Sequence, residues 1–348
     1  MAYISFQPKD YFNTKLYTGN STDNHAITGV GFAPDFTWIK NRTQANFDHM
    51  LFDALRGTGS LRENLRSNTT SASDADASNL KTLDSDGFTL GTGGYVNHAS
   101  TFVSWNWKAN GAGSANTDGS INSTVSANTT SGFSIVKYVG SGSNATVGHG
   151  LSTAPTAIFC KNLDSGSEQW INYDVSSGAT KYYHLNMSNG TSVGSTIWNN
   201  TAPTTSVFSV GTVANCNSSG VNYIAYCFSN ITGFSKVGGY SGNGNANGAF
   251  IYTGFKPAFV IVKQTNANGE SWKMYDNKRP GYNLVNNWLE PDDSQAEGTG
   301  SNQIDMVSNG FKARATNTAM NASGSTYIFM AFAEAPLVGS NNVPANAR

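Results

Sequence analysis

Charge is scarce in this chain: Lys, Arg, Asp and Glu make up 12% of the 348 residues and cancel to a formal net charge of −1, where an average soluble domain carries about 25%. That scarcity argues against a cytosolic metabolic enzyme. The absence of a basic stripe argues against a nucleic-acid partner. No apolar run approaches the roughly 18 residues of a bilayer-spanning helix, so membrane insertion is not expected. The opening Met1-Ala2-Tyr3-Ile4-Ser5-Phe6 has neither the basic nor the apolar region of a secretion signal, and the expectation is assembly in a cytoplasm. Cysteine is limited to Cys160, Cys216 and Cys227. The number is odd and two of them sit in apolar strands, so no disulfide framework is expected.

Chemical signatures are missing as well. The five histidines, His25, His49, His98, His149 and His184, never form a close pair, and none has metal-ligand spacing with a cysteine. There is no Gly-x-Ser-x-Gly elbow and no phosphate-binding loop, and the glycine-rich runs lie between strands instead of opening a helix. The sequence therefore predicts no catalytic residues, no metal and no cofactor. Abundance lies elsewhere, in 37 glycines, in Asn, Ser and Thr, and in aromatics at 12%. This is the make-up of a polar, uncharged surface over an aromatic core, as in extracellular or particle-surface β proteins.

The main signal is a threefold repeat. Phe102-Val103-Ser104-Trp105-Asn106-Trp107 aligns without a gap with Tyr223-Ile224-Ala225-Tyr226-Cys227-Phe228 and with Tyr327-Ile328-Phe329-Met330-Ala331-Phe332. Four further landmarks precede this strand in constant order. An aromatic leads into Tyr-x-Gly (Tyr17, Tyr138, Tyr240); an apolar strand ends in Lys40, Lys161 or Lys263; an aromatic-Asp pair follows at Asp53, Asp174 and Asp276; and a short strand carries Phe88, Phe208 or Phe311. Such self-similarity marks a copied structural unit.

Each segment is about five to eight residues long, rich in β-branched and aromatic residues and bounded by Gly, Asn, Asp, Ser or Pro, which predicts strands and turns. In the final strand, alternation places Val103, Trp105 and Trp107 on one face, matching Ile224, Tyr226 and Phe228, and Ile328, Met330 and Phe332. That face should be core, and the opposite face is apolar enough to be partly covered. The expected fold is all-β, with antiparallel β-sandwich units of about 100 residues in tandem. The expected boundaries are an N-terminal arm at 1–11, units at 12–109, 132–230 and 231–337, a linker at 110–131, and a tail at 338–348. The short connection between the last two units predicts that they are closely coupled, with the first more separable.

Candidate functional residues are few. One recurring Asp per copy cannot supply the two opposed carboxylates of a glycosidase; Asp53, Asp174 and Asp276 are expected to bond the backbone of a following turn. The better binding candidates are aromatics outside the repeated columns, where a flat ring can stack on a sugar while neighbouring amides bond its hydroxyls. Trp198 with Asn199 and Asn200, and Trp288 with Asn286 and Asn287, have that form. Trp170 and Trp272, four residues before the repeated Asp, are expected to pack; His49 fills their column in the first copy. In the arm, Tyr3, Ile4 and Phe6 are apolar enough to dock on a partner.

The stretch Phe6-Gln7-Pro8-Lys9-Asp10-Tyr11-Phe12-Asn13-Thr14, the Gly31–Lys40 block, Asp84–Gly91, Ser104–Lys108 and Gly148-His149-Gly150-Leu151 together resemble structural proteins of tailed bacteriophages, especially marine ones, built from lectin-like units. The resemblance covers nearly the whole chain. It implies a concanavalin-like or jelly-roll sandwich and a place on the virion surface, at the tail, its fibres or the capsid. The expected role is a non-enzymatic tail-associated protein that contacts host surface polysaccharide, anchored to other virion proteins through Tyr3, Ile4 and Phe6. A capsid decoration protein is the alternative and a polysaccharide depolymerase a more remote one. Fibres and capsid sites both make a homo-oligomer, a trimer, the expected assembly.

Overall fold

A computed structural model of the chain describes residues 7–57 and 61–335. Nearly all regular structure there is antiparallel strand, with two helices of four residues each. The all-β expectation holds, and each copy forms two principal sheets, to which the second adds the two-stranded pair Lys181–Tyr182 and Ser192–Val193.

The inner sheet of every unit is built around the repeated final strand. Thr101–Trp107 lies between Phe12–Thr18 and Phe36–Asn41. Asn222–Phe228 lies between Phe133–Val139 and Ala157–Asn162. Thr326–Ala333 lies between Ser235–Ser241 and Pro257–Gln264. The strand that ends in the repeated Asp follows at the next edge, pairing Phe36 with Asp53, Ala157 with Asp174 and Phe259 with Asp276. The outer sheet pairs a short strand with the Phe88, Phe208 or Phe311 strand, so that Ile27, Val147 and Ile251 face those rings in register.

Alternation sorts the two faces. Tyr223, Ala225 and Cys227 point into the second unit's own sandwich core, and Tyr327, Phe329 and Ala331 into the third's. The other face does not close a private core. Val103, Trp105, Trp107, Ile224, Tyr226, Phe228, Ile328, Met330 and Phe332 belong to one cluster drawn from all three units. At its centre the same column meets itself: the rings of Trp107 and Phe228 are 6.3 Å apart, Phe228 and Phe332 5.8 Å, and Trp107 and Phe332 5.6 Å. Three sandwiches thus share one aromatic hub, and burial of this kind is the main favourable term in folding.

Two expectations about organisation are corrected. The segment 110–131 is no free linker: Ser114–Asn116 and Ser123–Asn128 extend the second unit's inner sheet beside Phe133–Val139. Apart from Thr124 and Val125 these segments consist of Ser, Ala and Asn, which are weak strand formers on their own, and the pairing with a strong neighbouring strand decides the outcome. The first unit is also no more separable than the others, because Phe12 stacks on Phe332 at 5.1 Å and Phe36 on Tyr226 at 4.3 Å. Tyr3, Ile4 and Phe6 lie outside the described residues.

Candidate functional site

The repeated Asp residues cap turns, as their spacing predicts. Asp53 Oδ1 accepts from the backbone N–H of Leu55 and Arg56, Asp276 Oδ1 from Lys278 and Arg279, and Asp174 Oδ1 from Ser176. The sequence reading missed their second partner. Arg56 Nε donates to Asp53 Oδ2 at 2.6 Å and Arg279 Nε to Asp276 Oδ2 at 2.6 Å, both pairs fully buried. Burial opposes the guanidinium charge, yet Asp53 and Asp276 beside them hold Arg56 and Arg279 above the usual arginine range. Each pair is finished by the next unit: Tyr226 Oη donates to Asp53 Oδ2 at 2.7 Å, and Trp105 Nε1 to Asp276 Oδ2 at 3.1 Å. These carboxylates are fully engaged inside joints between units and present no face to a glycosidic bond.

The other repeated polar residues are structural too. Lys40, Lys161 and Lys263 are buried without a carboxylate partner and donate to backbone carbonyls, among them Ser294 O from Lys40 at 3.1 Å and Ser188 O from Lys263 at 2.9 Å. Burial lowers each to about 8. Trp170 Nε1 donates to Arg66 O and Trp272 Nε1 to His184 O, again one unit reaching the next. A further triplet went unread: Asn97, Asn217 and Asn321 are fully buried, and each bonds the loop after Tyr-x-Gly. Its signal is an Asn five or six residues ahead of the final strand.

The proposed stacking residues are corrected. Trp198 is 2% exposed and meets Tyr173 edge-on inside the second unit's core. It ends a four-residue helix, and Asn199 and Asn200 are there because their φ of 49° suits Asn better than most residues. Trp288 is half-buried; Lys273 Nζ lies 4.3 Å over its ring and Gly298 packs against it. Asn287 donates to Glu297 and Asn286 is partly buried in the same strand. Neither ring offers a free face.

Exposed aromatic surface lies in the third unit instead. In the outer strand Phe250–Tyr252, Ile251 faces the core while Phe250 and Tyr252, 49% and 64% exposed, face out. The paired columns carry Ala26 and Thr28 in the first unit and Thr146 and Gly148 in the second. Phe250 is paired with Lys312, whose Nζ donates to Asn247 Oδ1 at 2.6 Å, and Tyr252 with Gly310. A Cβ at Gly310 would collide with Ile251 O, as one at Gly87 would with Ile27 O, so glycine is set there by the close approach of the paired strand. At the opposite edge of this sheet, just before Val285–Trp288, Tyr282 and Leu284, 81% and 38% exposed, flank Asn283, whose side chain is bonded to both backbone groups of Met306. Phe250 and Tyr252 thus form an exposed ring pair beside Asn247 and Lys312, and Tyr282 and Leu284 a second exposed apolar pair.

Residues 7–336 match the family defined by the domain of unknown function DUF7483, and the chain belongs to that family. No curated protein and no solved structure matches it.

Proposed function

We propose that this protein is a non-enzymatic structural component of a phage particle surface, tail-associated, and that its third unit contacts host surface glycans. The observation that carries the reading is the pair Phe250 and Tyr252, exposed on one unit where the equivalent positions of the other two hold Ala, Thr and Gly. A sugar ring presents an apolar face that stacks on such aromatics, while its hydroxyls suit Asn247 and Lys312 beside Phe250. The remaining two units act as the rigid body that presents this face. The uncharged, Asn-, Ser- and Thr-rich composition supports an exterior location.

The test is capture of the full-length chain on intact host cells, with empty capsids as parallel bait. The reading expects saturable cell binding, competed by soluble host polysaccharide and lost in Phe250→Ala/Tyr252→Ala. Capture by capsids alone would make the chain a decoration protein, and turnover of the polysaccharide would overturn the non-enzymatic assignment.

A further inference from the structure

The three joints follow one plan, and the joint between units two and three departs from it at four positions that converge. The plan places a large apolar residue two positions before the Asp, an Arg three positions after it, a Phe paired with the Asp on the adjacent strand, and a donor from the next unit. Unit one has Leu51, Arg56, Phe36 and Tyr226; unit three has Met274, Arg279, Phe259 and Trp105. Around Asp174 these become Asn172, Ser177, Ala157 and Met330. The space vacated by the guanidinium is taken by Tyr183, whose hydroxyl bonds Ser177 and Thr191. A cavity of about 20 Å³ remains, lined among others by Ala157, Phe159, Ile261, Ile328 and Met330. The Asn172 side chain, 1% exposed, has no hydrogen-bond partner for either amide atom.

Among the described residues, Asp174 is therefore a buried carboxyl with no cation paired to it and no donor from the neighbouring unit. We propose that this joint is a proton-dependent latch, closed while Asp174 is uncharged and loosened when it ionises. The cavity is about one water in size and is lined mostly by apolar side chains, so an ionised Asp174 gains at most a single water there. Of the side chains that line it, Asp174, Tyr173 and Tyr183 can titrate, and Lys, Arg and His are not among them. Both tyrosines are pushed up by burial and stay neutral. Burial likewise raises Asp174 to about 7, against the lowering effect of Ser176 and Ser177.

A carboxyl raised on folding contributes stability at low pH that is lost as pH climbs from the unfolded value near 4 to the folded value near 7. His149 and His184, lowered by burial, act in the opposite direction, and Asp292, raised to about 6, in the same one. Comparison with Asp174→Asn isolates the latch from both.

The experiment is thermal unfolding of the full chain and of Asp174→Asn from pH 5 to pH 8, with hydrogen exchange of residues 170–184 corrected for intrinsic rate. The latch predicts that the variant gains on the wild type as pH rises, with the difference in Tm levelling off above about pH 7. It also predicts that wild-type protection at 170–184 falls with pH while protection at 50–57 and 272–280 does not. A difference in Tm constant across the range would overturn the proposal. If the variant does not fold, wild-type exchange decides: equal pH response at all three joints contradicts the latch.

Discussion

The inner and outer faces of the three sandwiches differ in how far their copies have diverged. Inside, the same columns meet themselves: Trp107, Phe228 and Phe332 touch mutually, and Asp53 and Asp276 are finished by donors from the next unit. Outside, equivalent positions carry Ala26, Thr146 or Phe250, and Thr28, Gly148 or Tyr252. A face that must close on its own copies changes only in concert, as where Asn172, Ser177, Ala157 and Met330 depart together around Asp174, since close-packed interiors register even one methylene. A face that meets solvent is free to diverge, and in one unit of three it carries exposed aromatic rings.

The largest effects should come from breaking the inner face. Arg279→Met leaves Asp276 buried without its cation and should cost about 3–5 kcal/mol in denaturant unfolding; Trp107→Ala removes a third of the central hub and should cost a similar ~3–5 kcal/mol. Trp198→Ala tests the boundary between the two faces. As a core residue it should also lose about 3–5 kcal/mol, and an unchanged Tm would return that ring to the surface. Tyr226→Phe deletes a single donor to the Asp53 carboxylate and should cost about 1.5–3 kcal/mol. Phe250→Ala and Tyr252→Ala belong at the small end, within about 0.5 kcal/mol of wild type, while weakening glycan binding about tenfold or more, ~1.4 kcal/mol per decade. Equal destabilisation by inner and outer substitutions would dissolve the comparison.

The same division explains what the sequence discloses. Period-two alternation identifies Val103, Trp105 and Trp107 as a buried face, but a pattern along one strand carries no information about which unit covers it, and only the structure makes that core a shared one. The strands within 110–131 escape notice because, apart from Thr124 and Val125, Ser114–Asn116 and Ser123–Asn128 carry none of the residues that mark strands and exist largely through pairing. Arg56 and Arg279 are hidden as a motif by Ser177 in the middle copy. Trp198 and Trp288 look like loop aromatics because local sequence does not reveal that a four-residue helix turns one inward and that Lys273 covers the other. Phe250 and Tyr252 become legible only beside their counterparts, once register has aligned the three outer strands.

The shared hub makes the three units one cooperative body, and calorimetric unfolding of the full chain tests that most directly. At pH 6, where Asp174 keeps its proton, a single transition whose calorimetric and van't Hoff enthalpies agree is predicted. Separate transitions, with one unit melting while the others stay folded, would contradict a core held in common.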